Sequence, residues 1–122
     1  MTDDHEFWAE HVRHVDLGAM MGAAPEERIT AKLIERDEPR AAALRMIRTP
    51  VGGGSPRGPH THPFEQVFYI VDGSMEIEIL GRRRTVGPGD LVVFPANVEH
   101  RNWNESDGPT IHLAIDVVGA RA

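Results

Sequence analysis

The stretch Val67-Phe68-Tyr69-Ile70-Val71-Asp72-Gly73-Ser74-Met75-Glu76-Ile77-Glu78-Ile79-Leu80-Gly81-Arg82 decides the fold class. Its first five residues are β-branched or aromatic, side chains that suit a pleated surface. From Met75 the pattern switches to period two, with Met75, Ile77 and Ile79 against Glu76 and Glu78, as in a strand buried on one face. Leu80-Gly81-Arg82-Arg83 reads as the hairpin turn that follows. Working outward, Leu91–Phe94 is a compact apolar run and Thr110–Val118 is a further strand candidate. Glycine and proline crowd between these runs, in Val51–Pro59, in Gly87-Pro88-Gly89, and around Pro95, Gly108 and Pro109. Such clusters mark turns, so short strands recur at intervals of roughly ten residues, the pattern of an antiparallel sandwich or barrel.

The first third is less patterned. Phe7, Trp8, His11, Val12 and Val15 fall on one helical face, with Asp4 as a candidate cap. Arg28–Arg36 and Arg40–Arg48 suit either strand or helix by periodicity, and we assign them to strands as partners for the later sheet. The expected organisation is an N-terminal arm over residues 1–26 and a single barrel domain over 27–119. Composition bounds the function. The 122 residues carry 13 basic against 19 acidic side chains, a net charge of −6, which argues against a nucleic-acid partner. Arg82-Arg83-Arg84 is too short to reverse that balance and reads as a solvated face. There are no cysteines, which excludes disulfides, thiolate metal sites and cysteine nucleophiles. No apolar stretch approaches the ~20 residues that span a bilayer, and the acidic opening Met1-Thr2-Asp3-Asp4 is unlike a secretory signal, so a cytoplasmic protein is expected.

The chemistry concentrates in two segments. His60 and His62 stand at i and i+2, which on a strand projects both imidazoles to one face, and neutral imidazole is the commonest metal ligand. Two such histidines cannot close a site alone. His100 follows a strand and the turn Pro95-Ala96-Asn97, where asparagine tolerates the left-handed conformation. Gly54, His60, His62 and Gly73, followed by Gly89, Pro95, His100 and Asn104, match in spacing the two sequence motifs of the cupin superfamily, which the chain resembles from Gly54 to Asn104. The resemblance implies an all-β, double-stranded β-helix (jelly-roll) barrel, here with a short N-terminal helix or extended arm. It also implies a divalent metal held inside by histidines and a carboxylate, and a homodimer.

The sequence departs from those motifs twice. Asn97 stands where the second motif has glycine, a mild change for a left-handed turn. Gln66 stands where the first has glutamate, and Glu65 is the competing ligand because carboxylates bind hard and borderline metals better than amides. Strand parity favours Gln66, which shares a face with Phe68 and Ile70. The expected ligands are therefore His60, His62, Gln66 and His100 around one divalent ion, with manganese, iron, nickel, copper and zinc all admissible. That neutral set leaves the ion its full charge and favours Lewis-acid chemistry (isomerase, lyase or cyclase) on a small oxygenated metabolite. The alternatives are a dioxygenase at the same site and a non-catalytic metal- or ligand-binding module. His112 is the candidate general base. Phe68, Phe94 and Trp103 are candidate cavity or core residues. Arg45 and Arg48 are candidate anion contacts, with solvated surface as their plainer role. His5, His11 and His14 offer only a weak case for a second site.

Overall fold

Among the described residues eight strands form, six of them from the runs just described, whereas those over Arg82–Val86 and His100–Trp103 were not set out as strands by the sequence pattern. The computed structural model describes residues 4–12, 14–34, 43–55 and 57–117. The strands are β1 (Ile29–Ile34), β2 (Ala43–Thr49), β3 (Glu65–Asp72), β4 (Met75–Ile79), β5 (Arg82–Val86), β6 (Leu91–Phe94), β7 (His100–Trp103) and β8 (Thr110–Val117). They pair antiparallel into a five-stranded sheet, β1-β2-β8-β3-β6, and a three-stranded sheet, β5-β4-β7. β1 and β2 occupy the two segments whose periodicity left helix and strand open. β2 is hydrogen-bonded on both edges, which outweighs its helix-forming composition. The parts of those two assignments at residues 35–42, and the end of the last strand at Val118, lie outside the described residues.

The core is the space between the two sheets. Ile47, Phe68, Ile70, Val92, Phe94 and Ala114 from the larger sheet meet Met75, Ile77 and Val86 from the smaller one in a single buried cluster. Each large member contributes about 1.5–3 kcal/mol by leaving water, and Phe68 and Phe94 add an edge-to-face contact at 5.0 Å. Trp103 is buried on a different surface. Its ring lies under the guanidinium groups of Arg83 and Arg101, and its indole N–H donates to Glu105, so it lines no part of the cavity described below. Arg83 in turn pairs with Glu76 and Glu105.

At the N-terminus, α1 (Asp4–His11) begins at Asp4 itself, so Asp4 is a helical residue and not the cap, while Val12 and Val15 lie beyond the helix end. Phe7 and Trp8 on it are exposed. In α2 (Leu17–Met21), Asp16 caps the first turn by accepting from the Ala19 N–H. Met20 is buried and Met21 exposed. Arg48 holds this segment to the sheet. It is 1% exposed, and its guanidinium donates to the carbonyls of Ala23, Ala24 and Glu27. The expectation of a solvated or substrate-binding Arg48 is thereby overturned: residues 45 and 48 differ in strand parity, and 48 faces away from the barrel interior.

Two turns explain why certain positions must be glycine. A Cβ on Gly54 (φ +98°) would stand 2.5 Å from the Asn102 carbonyl oxygen, and one on Gly73 (φ +75°) 2.4 Å from that of Pro109. Gly89 has a similar φ of +91° but open space around it. Asn104, fully buried, ties the same region together: its amide donates to the carbonyls of Thr49 and Gly108 and its oxygen accepts from Ser106. The β4–β5 hairpin turns on Leu80 and Gly81, both with positive φ, the mirror-image turn that suits strand twist. Urea denaturation should therefore rank three variants. Gly89→Ala should cost about 1–2 kcal/mol, the left-handed penalty alone. Gly54→Ala and Gly73→Ala should each cost about 3 kcal/mol or more, because backbone overlap is added. Equal costs at all three positions would contradict the close approaches.

Candidate metal centre

His60, His62 and His100 come together at one end of the barrel interior. Their ring centroids are 4.7 Å (His60–His62), 4.6 Å (His60–His100) and 5.1 Å (His62–His100) apart. One nitrogen from each lies within 4.8 Å of the others, a cluster that can hold a metal ion. His60 and His62 are not on a regular strand, as their spacing suggested. His60 forms an isolated antiparallel bridge with His100, and His62 follows in irregular backbone. The two rings nonetheless converge, since an extended pair of residues alternates as a strand does.

His100 is the best defined of the three. Its Nδ1 lies 2.9 Å from the Val98 carbonyl oxygen, and a carbonyl only accepts, so Nδ1 carries the proton and Nε2 presents a lone pair. That Nε2 is buried and has no hydrogen-bond partner. A buried acceptor without a partner costs about 1–3 kcal/mol, a cost that a bound cation removes. This is the arrangement of a metal-ligating imidazole, whose second nitrogen donates to a backbone carbonyl. Burial, followed by the nearness of His100 and the other imidazole, holds His60 below the usual histidine range. His62 is lowered by burial and His100, against an opposing pull from Asp116. Low proton affinity keeps both rings in the neutral form that metals require. Phe64 stacks on His62 at 4.9 Å and limits its rotation.

Gln66 is 8% exposed and lines the same cavity, of about 340 Å³. Its neighbour Glu65 sits on the opposite face of β3 with Val67 and the exposed Tyr69. The Gln66 amide nitrogen donates to Asp116 Oδ1 at 2.8 Å. A carboxylate only accepts, so the amide nitrogen must face it and the carboxamide oxygen is left as the atom available to a ligand. The other oxygen, Asp116 Oδ2, accepts from Arg45 at 2.6 Å. Arg45 lines the cavity, so the plainer reading of this residue as solvated surface is also overturned. Asp116 was absent from the expected site. It stands on the inner parity of β8 with His112 and Ala114, and an acid at an inward position of an otherwise apolar strand is the signal that finds it. Arg28, also unanticipated, lines the cavity mouth.

His112 is 2% exposed, lies against Phe68 at 4.3 Å, and has neither ring nitrogen hydrogen-bonded. Of the other expected side chains, Phe68 lines the cavity, whereas Phe94 is core and packs on the His100 ring at 4.5 Å. His5 and His14 are exposed, and the His11 side chain lies outside the described residues. No helix among the described residues is long and apolar enough to cross a membrane.

Two facing antiparallel sheets with an interior histidine cluster that could hold a metal define a β-barrel of the double-stranded β-helix class. The profile of the cupin domain family matches residues 45–116, well over half of the chain, and the protein belongs to that family. Germin-like protein 1-1 of Oryza sativa subsp. japonica is 27% identical over 77 residues, covering 58% of this chain and 36% of that protein. Polyketide synthase CurC of Streptomyces cyaneus is 27% identical over 94 residues, covering 65% and 61%. The chain thus spans less than two thirds of the length of either relative. A solved structure from Ralstonia eutropha JMP134, assigned as a candidate mannose-6-phosphate isomerase, superposes with a TM-score of 0.71 at 27% identity, covering 88% of this chain and 100% of that one.

Burial, reinforced by Arg28 and Arg45, pushes the His112 imidazole from its ordinary 6.5 down to about 4. Between those two values the unfolded chain binds a proton at this position and the folded protein does not. Stability therefore falls as pH drops from 6.5 towards 4, by roughly 3 kcal/mol over the window, and this residue adds no slope above it. Urea midpoints measured across that range should decline less steeply in His112→Phe than in the unaltered protein. Parallel slopes would assign the acid sensitivity to another group.

Proposed function

We propose that the protein is a metal-dependent enzyme acting on a small oxygenated metabolite by Lewis-acid chemistry, with His60, His62, His100 and Gln66 around one divalent transition-metal ion. The observation that carries this reading is the buried, unpartnered Nε2 of His100, its tautomer set by Val98, facing two more imidazoles. A divalent ion held there would polarise a substrate carbonyl or lower the pKa of a bound water. The neutral donor set favours this over redox chemistry. Among the described residues the carboxylate that lines the cavity, Asp116, has both oxygens engaged by Gln66 and Arg45, so it supplies no anionic ligand. The isomerase assignment of the Ralstonia relative points the same way.

The chain's own residues divide the remaining work. Val98 and Asp116 orient His100 and Gln66, so that neither must reorganise when a ligand binds. Phe64 and Phe68 line the cavity and exclude water, which strengthens every charge interaction inside. His112, neutral at physiological pH and with both nitrogens buried and unpartnered, is the side chain we assign as proton acceptor, through the nitrogen that carries no proton. An anionic species developing beside it would raise its basicity.

Elemental analysis of protein purified anaerobically, without a metal-binding tag, tests this assignment. About one divalent transition-metal ion per chain is expected, with loss of metal and of turnover in His62→Ala and His100→Ala. Asp116→Asn should weaken metal affinity about 10–100-fold by releasing Gln66. Added metal at a hundred times its Kd should stabilise the apo-protein by about 2.7 kcal/mol. A metal-free preparation with no thermal shift on addition of manganese, iron, nickel, copper or zinc would refute the centre. Turnover that requires dioxygen would replace the Lewis-acid reading with the dioxygenase one, and metal binding without turnover on any small metabolite would leave a binding module.

A further inference from the structure

The cavity also has an arginine-lined side whose guanidinium groups the metal reading engages neither as ligands nor as proton carriers. Arg45 and Arg28 line it beside the buried His112, and one carboxylate, Asp116, faces them. Two guanidinium groups against one carboxylate leave a single positive charge, inside a protein whose net charge is −6. A local field opposite in sign to the whole molecule selects its ligand by charge.

The donors at this end are not saturated. Arg45 commits one terminal nitrogen to Asp116, and its Nε is buried without a partner. Its guanidinium side chain is 31% exposed, and the cavity is the space it borders. Both His112 nitrogens are likewise buried and unpartnered. Arg28 spends one nitrogen on the Thr30 hydroxyl and remains exposed at the mouth. Buried polar groups without partners are rare enough in folded proteins that a cluster of them calls for a ligand. Guanidinium forks match planar oxyanions in geometry as well as charge.

We infer that the substrate is a small carboxylate, its carboxyl group held by Arg45 and Arg28 next to His112 and a second oxygen turned towards the three-histidine cluster. A planar carboxylate matches one guanidinium fork, and a bound divalent ion would add to the positive charge it meets. The cavity of about 340 Å³ lies within the range of small-molecule sites. The placement of the second oxygen rests on the proposed metal centre; the arginine contact does not.

Calorimetric titration of lactate, its uncharged isostere lactamide, and inorganic phosphate separates these elements, using both zinc-loaded and chelator-treated protein. Lactate should bind the loaded protein at least tenfold more tightly than lactamide, and more tightly than phosphate. Arg28→Gln should weaken lactate at least tenfold with unchanged metal content, and Arg45→Gln should weaken it at least tenfold. Arg45→Gln leaves Asp116 without its ion pair and is open to a folding defect, so the exposed Arg28→Gln is the deciding variant. Equal affinity for lactate and lactamide, no lactate binding at all, or no effect of Arg28→Gln would overturn the inference. Tighter binding of phosphate would replace the carboxylate with a phosphate ester. If zinc fails to bind but the chelator-treated protein still prefers lactate through Arg28, the metal reading falls and this one stands. If zinc binds and the preference is missing, the reverse holds.

Discussion

Reciprocal backbone hydrogen bonds between His60 and His100, at 2.8 and 3.0 Å, join two segments far apart in the chain. They form part of a longer seam. The Ser55 N–H and hydroxyl both reach the Asn102 carbonyl, and the Asn97 N–H donates to that of His62. The loop before β3 is thereby zipped along β7 and the turn preceding it. Every imidazole of the cluster hangs from this seam, so the backbone pairing brings the three rings to one place. Gly54 is the hinge of the arrangement, because only a residue without Cβ lets the loop approach the Asn102 carbonyl closely enough to pair.

How far the sequence could be read depended on whether a signal was local. The alternation in Met75–Ile79 and the β-branched run before it are properties of single strands, and β3 and β4 appear where they were expected. The spaced glycines and histidines carried the family resemblance, and Asn97 does take a positive φ, of 62°. Motif spacing and strand parity both favoured Gln66 over Glu65, and Gln66 lines the cavity. The same parity applied to Thr110–Val118 would have put Asp116 beside His112, and applied to Ala43–Thr49 would have separated Arg45 from Arg48. In both strands the register was unknown, and a slip of one residue reverses every side chain. Arg28 had no local signal at all; it joins the cavity only because β1 pairs with β2 at the edge of the larger sheet.

Charge is distributed with a division that composition conceals. Acidic residues prevail over the chain, yet the cavity combines imidazoles with the guanidinium of Arg45, the exposed guanidinium of Arg28 at its mouth, and one engaged carboxylate. Burial enforces the neutrality of the imidazoles, since desolvation leads the causes for His60, His62 and His112 alike. Proton-poor rings thus arise from the same packing that closes the core.

Asp116 gives one oxygen to Gln66 and the other to Arg45, and this doubling bears on any attempt to re-engineer the pocket. An exchange there perturbs both neighbours at once, so library screens that vary position 116 will confound two phenotypes. Arg28 stands outside that linkage. It is the position at which the polarity of the entrance can be retuned on its own, leaving the deeper scaffold intact.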